Sequence, residues 1–390
     1  MSIASLAGTA RRGRLWAAVG TAGILAASLA ACGSGSTTSA TSDAGTASNS
    51  KLASEVTALT KPRSAYPVPG EPIKNVGSVS GKTIFYVPIT LQAPQFAATE
   101  KSVMSAAKVV GLHVQVCDGK GTPDDVSACI NRATDAKAAA VITDAIPYAL
   151  AANAFNAAQK AGIPILINNQ VPDPSHPASK TLEYIGQDAG SAMEEALAKW
   201  VSLDSGGKAQ VLINEDTDGP SPAAFVSAGQ KVYAADCPSC TTIINKISSA
   251  NFSLVPSSTS SVLIKNPNVN YVEAQFEQFL QPTQTGIQQT SRTGIKTITG
   301  AAALSSLKAL AAGSIAAAAG QASTYQAWID VDAALRMMLG EKVPAYTIPV
   351  RLFTQDTVKD MTLTEAAQNS GEWYGPTTFT DDFKKLWGVS

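Results

Sequence analysis

One segment, residues 82–111, constrains the fold more than any other part of the chain. It opens with an apolar run at residues 83–89 that is rich in β-branched and aromatic residues, which predicts a buried strand. A polar loop at residues 90–95 follows, and apolar residues at helical spacing then predict a helix that ends at Gly111. Because ligands of open α/β sheets bind beyond the carboxyl ends of the strands, this amide-containing loop is a candidate ligand site.

The same strand–helix alternation continues along the chain. Four strand–helix units precede residue 187, and a second series begins after residue 188. Alternation of this kind predicts parallel sheets covered by helices on both faces. The predicted strands are at residues 83–89, 113–117, 138–143, 163–168, 209–214, 241–245, 271–275, 296–299 and 346–353.

The first 31 residues have the features of an export signal. Three arginines between residues 11 and 14 precede an uncharged run of small and apolar residues, 15–31. Residues 29–32, Leu-Ala-Ala-Cys, resemble the lipobox of bacterial lipoproteins, in which the signal is removed before a cysteine that then carries lipid. The alternative is a transmembrane anchor, for which the run is short. We therefore predict a signal peptide at residues 1–31, lipidation of Cys32, and anchoring on the outer face of the cytoplasmic membrane.

The segment between this cysteine and the first strand predicts a linker. Residues 33–50 are small, polar and nearly uncharged, so they have too little apolar surface to order themselves. Residues 51–80 contain four prolines and predict an extended lead-in to the first strand. A flexible linker is therefore expected over residues 32–80.

Composition argues against several classes of function. The 390 residues include 29 basic and 30 acidic residues, so the chain lacks the positive charge of a nucleic-acid binder. With only two histidines, His113 and His176, a hydrolase triad or a histidine-based metal site is poorly supplied. We expect no catalytic residues, no metal and no other cofactor, although an exported enzyme on an α/β scaffold is one alternative.

The five cysteines fit an oxidising compartment. With Cys32 assigned to lipid, Cys117 and Cys129 remain near one strand end and its helix, and Cys237 and Cys240 are close in sequence. Two local disulfides are the simplest interpretation. A redox motif at the second pair would need a helix start that stabilises a thiolate, whereas a strand is predicted to follow.

Four phrases of the sequence resemble a known family. Residues 82–96 (KTIFYVPITLQAPQF) are similar to the first strand and the aromatic-amide ligand loop of type I periplasmic binding proteins, the ribose-binding-protein-like class of sugar ABC importers. Residues 161–170 (AGIPILINNQ) resemble the strand whose polar pair meets the ligand. Residues 268–279 (NVNYVEAQFEQF) resemble a later strand-to-helix step, and residues 339–344 (LGEKVP) the end of the helix before the last crossover strand.

The resemblance implies an α/β fold of two doubly wound parallel-sheet lobes joined by a multi-strand hinge. The first lobe would contain residues 81–187 and 321–350, and the second lobe residues 188–320 and 351–390. A small molecule, a sugar or polyol, would bind between the lobes and be delivered to an ABC importer permease without chemistry, and the lobes would close by a hinge motion. A monomer is the family expectation. The alternative is a sensor of the same fold that reports its ligand to a membrane receptor.

The candidate ligand-binding residues follow from the resemblance and from the predicted strand ends. Asn168-Asn169 and Phe276-Glu277 stand where sugar binders of the family often place charged residues, which make the stronger hydrogen bonds. A pocket of amides and aromatic rings suits a neutral polyol, but a less polar ligand also fits. The candidates are Gln92, Gln95, Phe96, Asn168, Asn169, Asp216, Asp218, Phe276, Glu277 and Gln321.

Each candidate also has a purely structural interpretation. Gln92 and Gln95 could cap the helix that follows them or face solvent, and Phe96 could belong to the core. For Asp216 and Asp218, ligand contact and helix capping are equally compatible with the sequence.

Overall fold

A computed structural model describes residues 41–389 of the chain. The predicted signal peptide and Cys32 lie outside these residues. The strands are β1 (Thr83–Pro88), β2 (His113–Val116), β3 (Ala140–Asp144), β4 (Ile165–Asn168), β5 (Leu182–Ile185), β6 (Gln210–Asp216), β7 (Thr241–Ile247), β8 (Tyr271–Ala274), β9 (Lys296–Thr299), β10 (Ala317–Gln321) and β11 (Val350–Thr354). The α-helices are α1 (Thr41–Leu59), α2 (Pro94–Val109), α3 (Pro123–Asp135), α4 (Ala152–Lys160), α5 (Gln187–Asp204), α6 (Pro220–Asp236), α7 (Val255–Lys265), α8 (Leu280–Gln289), α9 (Leu304–Ala311), α10 (Ser323–Leu339), α11 (Gln355–Val358), α12 (Glu365–Ser370) and α13 (Phe379–Leu386).

The first lobe is built on a five-stranded parallel sheet in the order β2-β1-β3-β4-β5. Helices α2 and α10 pack on one face, and α3 and α4 pack on the other. Alternate residues of β1 therefore enter different cores: Ile84 and Tyr86 lie under α2 and α10, and Phe85 and Val87 lie under α3 and α4. Burial on both faces explains the continuous apolar run in the sequence.

The second lobe is built on a six-stranded sheet in the order β11-β10-β9-β8-β6-β7. Its strands are parallel except β11, which pairs with β10 in the antiparallel direction. Helices α5 and α6 pack together on one side, and α7 and α8 pack together beside β7 and β8. The predicted fold class, two α/β lobes with parallel sheets, is confirmed.

The chain crosses between the lobes more than once. It leaves the first sheet after β5, and β10 ends in the second sheet at Gln321. Helix α10 then packs against α2 and the first sheet, and β11 returns to the second sheet from Val350. Several neighbouring crossings form the kind of hinge about which two lobes rotate.

The prediction of an extended linker is wrong for its central part. Residues 41–59 form α1, and Leu52 and Val56 are buried in the core of the second lobe. The Lys199 ammonium on α5 also lies 2.7 Å from a carboxylate oxygen of Glu55. Leu52 and Val56 are four residues apart and make one narrow apolar stripe, which the surrounding serine, threonine and alanine residues obscure in the sequence.

Helices α12 and α13 of the carboxyl-terminal tail pack on the first lobe, whereas the sequence assigned the whole tail to the second. Trp387 stacks on Trp328 of α10 with ring centroids 5.3 Å apart. Tyr66, which precedes β1, stacks on Tyr325 of α10 and packs against Phe379 of α13. The predicted anchoring role of the tail aromatics is confirmed, because all of them are buried: Trp373, Tyr374, Phe379, Phe383 and Trp387.

Two disulfides are present in the described residues. Cys117 is bonded to Cys129, with Cα atoms 5.7 Å apart, and Cys237 is bonded to Cys240, with Cα atoms 5.3 Å apart. Within residues 41–389, no helix is both long and apolar enough to cross a membrane.

The packing of the tail predicts a large effect for one substitution. Trp387→Ala should lower the free energy of unfolding by about 3–5 kcal/mol, because it removes a buried ring and leaves a cavity against Trp328. The variant also removes the indole N–H that donates to Asp332 at 2.7 Å. Urea unfolding followed by circular dichroism measures the change. Lys385→Ala, at an exposed position of α13, is the control and should cost less than about 0.5 kcal/mol. Equal effects of the two variants would contradict the packing described.

Candidate functional site

A cavity of about 60 Å³ lies between the two lobes at the carboxyl ends of their strands. Its first-lobe side includes Ile89, Thr90, Gln95, Phe96, Asn169 and Gln170. Its second-lobe side includes Met193, Asp216, Asp218, Phe225, Ser249 and Phe276. Gln321, at the end of β10, also lines it. The space holds only a few water molecules or one compact solute, since a single water needs about 10–15 Å³ by the same kind of measure.

The start of α2, which follows the loop after β1, supplies Gln95 and Phe96 to this cavity. They are the second and third residues of α2, which begins at Pro94. Proline is well suited to the first turn of a helix because its missing N–H would have no partner there. Phe96 is buried, and the side-chain oxygen Oε1 of Gln95 is buried without a hydrogen-bond partner.

Of the sequence candidates, the cavity lining includes Gln95, Phe96, Asn169, Asp216, Asp218, Phe276 and Gln321. Three candidates lie elsewhere. Gln92 is exposed in the loop before α2. Asn168 is completely buried and donates from Nδ2 to Asp330 Oδ1 at 2.6 Å, so it ties β4 to α10 and does not face the cavity.

Glu277 also lies outside the cavity lining. Its carboxylate accepts the Ser306 N–H at 2.9 Å, the Ala303 N–H, and the Ser305 hydroxyl. These groups surround the start of α9, where the backbone N–H groups have no partner within the helix. Glu277 is therefore a capping residue, and burial raises the pKa of its carboxyl group despite these hydrogen bonds. The sequence did not indicate this because α9 was not predicted.

A buried polar network holds Asn169 at the cavity. Its Nδ2 donates to Asp144 Oδ1 at 2.8 Å, and its Oδ1 accepts from Gln321 Nε2 at 3.0 Å. The other oxygen of Asp144 accepts from the Tyr86 hydroxyl at 2.9 Å and from Gln326 Nε2 at 3.3 Å. Complete burial raises the pKa of Asp144 to about 6, and the hydrogen bonds from these neighbours act in the opposite direction.

On the second lobe, Asp216 ends β6 and lines the cavity. Its backbone N–H donates to Gln275 Oε1 at 2.8 Å, and its Oδ1 accepts the Asp218 N–H at 3.2 Å. Burial, followed by the nearby carboxylate of Asp218, raises the pKa of Asp216 to about 8. Asp218 in turn accepts the Ser249 N–H at 3.0 Å. The loop after β6 and the segment after β7 are therefore joined at the cavity wall.

A direct contact joins the two lobes beside the cavity. The hydroxyl of Ser221, at the start of α6, donates to Gln170 Oε1 at 2.7 Å. The Ser221 hydroxyl oxygen also accepts the Val171 N–H at 3.0 Å. Ser221 is completely buried, so the first and second lobes meet there without intervening solvent. The described state is a closed one.

Sequence reasoning missed ten residues of the cavity wall, among them Gln170, Met193, Phe225 and Ser249. Gln170 directly follows the polar pair at the end of β4, so its position was the available signal. Met193 and Phe225 lie on α5 and α6, where helical spacing alone does not distinguish a cavity residue from a core residue. Among the described residues, no group of acidic, histidine and cysteine side chains could hold a metal ion.

A sequence profile described as "Periplasmic binding protein domain" matches residues 84–342. No curated protein sequence matches.

Many solved structures have a similar fold, and the three described here have 16–19% sequence identity to the chain. The 5-methylthioribose transporter solute-binding protein from Thermotoga lettingae has 18% identity and a TM-score of 0.66, covering 81% of this chain and 98% of that one. The myo-inositol-binding protein from Caulobacter has 16% identity and a TM-score of 0.63, covering 75% and 98%. GanP, a glucose-galactose-binding protein from Geobacillus stearothermophilus, has 19% identity and a TM-score of 0.63, covering 72% and 98%.

The raised pKa of Asp216 predicts a specific dependence of stability on pH. The folded protein holds this proton up to about pH 8, whereas the unfolded chain releases it near its ordinary value of 3.8. The contribution of Asp216 therefore makes the free energy of unfolding fall as pH rises between these values. The side chain introduced by Asp216→Asn cannot ionise. The melting temperature of the variant minus that of the parent should therefore increase progressively from pH 4 to pH 8.

Differential scanning fluorimetry across this pH range measures the effect. Asp360→Asn, at an exposed position, is the control and should leave the difference from the parent constant. A constant difference for Asp216→Asn as well would contradict the assigned burial of its carboxyl group.

Proposed function

The chain belongs to the periplasmic binding protein family and has its type I fold, and from this we propose that it is a lipid-anchored solute receptor for an ABC importer. It captures a small molecule in the cavity between its lobes and presents the closed form to the importer permease. The observation that carries the proposal is the cavity itself, because residues of both lobes line it and Ser221 closes it.

A sugar or polyol is the ligand class that the comparisons support. The similar structures include proteins described with 5-methylthioribose and with myo-inositol. The cavity of this chain offers partners that suit a polyol. Amide and carboxylate groups of Gln95, Asn169 and Asp216 can take hydroxyl hydrogens, and the rings of Phe96 and Phe276 can cover apolar CH groups.

The protein acts by binding and not by chemistry. Closure about a ligand changes the relative position of the two lobes, so a permease can distinguish the loaded form by its shape. We assign residues 81–187 and 321–350 to the first lobe and residues 188–320 and 351–354 to the second, with the protein acting as a monomer. Helices α12 and α13 of the remaining tail go with the first lobe because they pack on α2 and α10, whereas α11 goes with the second lobe because it packs on α9 and β11.

Membrane attachment is proposed from the amino-terminal sequence. The Leu-Ala-Ala-Cys motif places Cys32 after a signal peptide of residues 1–31, and lipid on Cys32 would hold the protein on the outer face of the cytoplasmic membrane. Helix α1 packs on α5 of the second lobe, so the chain between the lipid and the folded protein would enter through that lobe. Metabolic labelling with a fatty acid tests this assignment against a Cys32→Ala variant.

The proposed function predicts a co-purifying or bindable small solute. Mass spectrometry of molecules released from the purified protein should identify it, and calorimetry should then measure its affinity. Phe276→Ala removes a ring from the cavity wall and should weaken binding about tenfold or more. Phe252→Ala removes an exposed ring outside the cavity and should leave the affinity unchanged. The proposal is wrong if no small molecule binds, or if the two substitutions weaken binding equally.

A further inference from the structure

The charged side chains on the cavity wall are all acidic. Asp216 and Asp218 provide two carboxyl groups, and the residues that line the cavity include no lysine, arginine or histidine. Burying a carboxylate costs free energy unless a cation or several hydrogen-bond donors compensate it. The wall of the closed cavity therefore supplies negative charge without a matching positive one.

Apart from the interaction between Asp216 and Asp218 themselves, the partners of these carboxyl groups within the protein are neutral. Asp216 Oδ1 accepts the Asp218 N–H at 3.2 Å, and Asp218 accepts the Ser249 N–H at 3.0 Å. Asp216 is 6% exposed, so bulk water has little access to it in the closed state. Backbone donors orient both carboxyl groups, and no cationic side chain among the described residues lines the cavity beside them.

The first-lobe side of the cavity adds a further acceptor. Gln95 Oε1 is buried and accepts no hydrogen bond. The amides of Asn169 and Gln321 are already bonded to each other and to their neighbours, and the Gln170 oxygen is bonded to Ser221. Among the described residues that line the cavity, the one buried polar atom without a hydrogen-bond partner is thus an acceptor, which favours a ligand that carries donors.

Aromatic side chains complete the wall. Phe96 comes from the first lobe, and Phe225 and Phe276 come from the second. Phenyl faces attract cations as well as apolar CH groups, and this attraction is larger where water is excluded. Carboxylates together with aromatic rings are a suitable environment for an organic ammonium group.

We infer that the ligand of this cavity is a small amine-bearing polyol, such as an amino sugar, whose ammonium group pairs with Asp216 and Asp218. This inference rests on the proposed function and specifies its ligand. The ammonium group supplies the missing positive charge and several donors at once. Hydroxyl groups meet Gln95 on the opposite side, and CH groups pack against the phenylalanine rings. Carboxylate or phosphate groups on a ligand are excluded by repulsion.

Binding of such a ligand is coupled to a proton at Asp216. Besides Asp216, the one titratable residue among the described residues that line the cavity is Asp218. Helix α5 contributes Gly190 and Met193, and α6 contributes Pro222 and Phe225. The loop after β8 contributes Phe276 and Gln278, and the segment after β7 contributes Ser249. Near neutral pH the empty cavity holds a proton on Asp216, because its pKa is raised to about 8. An ammonium group displaces that proton, so its affinity rises with pH until Asp216 ionises unaided or the amine deprotonates.

The test compares ligands that differ in charge on one skeleton. Glucose, glucosamine and glucuronate form one set, and galactose, galactosamine and galacturonate form a second. Calorimetry at pH 6 and pH 7 should show the amine as the tightest binder of its set and the acid as the weakest. The affinity of the amine should increase by up to about tenfold from pH 6 to pH 7, because tenfold per pH unit is the limit when binding releases one proton.

Two variants separate the role of Asp216 from general effects on the fold. Asp216→Asn keeps the shape but removes the charge, and it should reduce the amine-to-neutral affinity ratio about tenfold and abolish its dependence on pH. Glu215→Gln removes the adjacent buried carboxyl group, which does not line the cavity, and should leave the ratio unchanged. Melting temperatures of both variants establish that they are folded.

The outcomes distinguish this inference from the proposed function. Preference for the neutral or acidic member of the sets overturns the inference and leaves the solute receptor intact. An amine preference that survives in Asp216→Asn also overturns it. If no compound of either set binds, the result contradicts this inference. It also contradicts the proposal that the ligand of the receptor is sugar-like.

Discussion

The structure depends on a buried hydrogen-bond network where the two sheets approach each other. Asn169 follows β4 of the first lobe, Gln321 ends β10 of the second, and their side chains are bonded at 3.0 Å. Asp144 and Gln326 complete the network from β3 and α10. A buried polar group without a partner is costly, so the members hold one another in a single arrangement. This arrangement fixes where the chain crosses between the lobes, and two of its members, Asn169 and Gln321, form part of the cavity wall.

Helix α10 connects this network to the outside of the molecule. Its residues from Thr324 to Arg336 are all buried, because the segment around Tyr66 and the tail helix α13 cover the face turned away from the first sheet. The polar side chains on that face are satisfied by local partners. Asp332 accepts hydrogen bonds from Arg336 at 2.8 Å and from the Trp387 indole at 2.7 Å. The matched family region spans residues 84–342, so these covering segments lie on either side of it.

The sequence was sufficient to predict strands buried on both faces of a parallel sheet from long apolar runs such as β1, and the resemblance to the family added their division into two lobes. It was insufficient where a structure depends on few apolar residues. The stripe of Leu52 and Val56 on α1 is too narrow to be recognised among serine and threonine residues. Most candidate site residues do lie at the cavity, since strand ends predict position. Glu277 and Asn168 also lie at strand ends, but neither side chain faces the cavity. The Glu277 carboxylate caps α9, and the Asn168 amide donates to Asp330, and both partners are distant in sequence.

The central claim is that the two lobes close around a ligand in the cavity. The distance between spin labels on opposite lobes tests it most directly, with labels at the exposed positions Asp124 and Ser253. Pulsed electron paramagnetic resonance should give one short, narrow distance distribution with the ligand bound. The ligand-free protein should give a longer and broader distribution. An identical distribution in both states, at saturating ligand, would contradict closure and with it the account of the site.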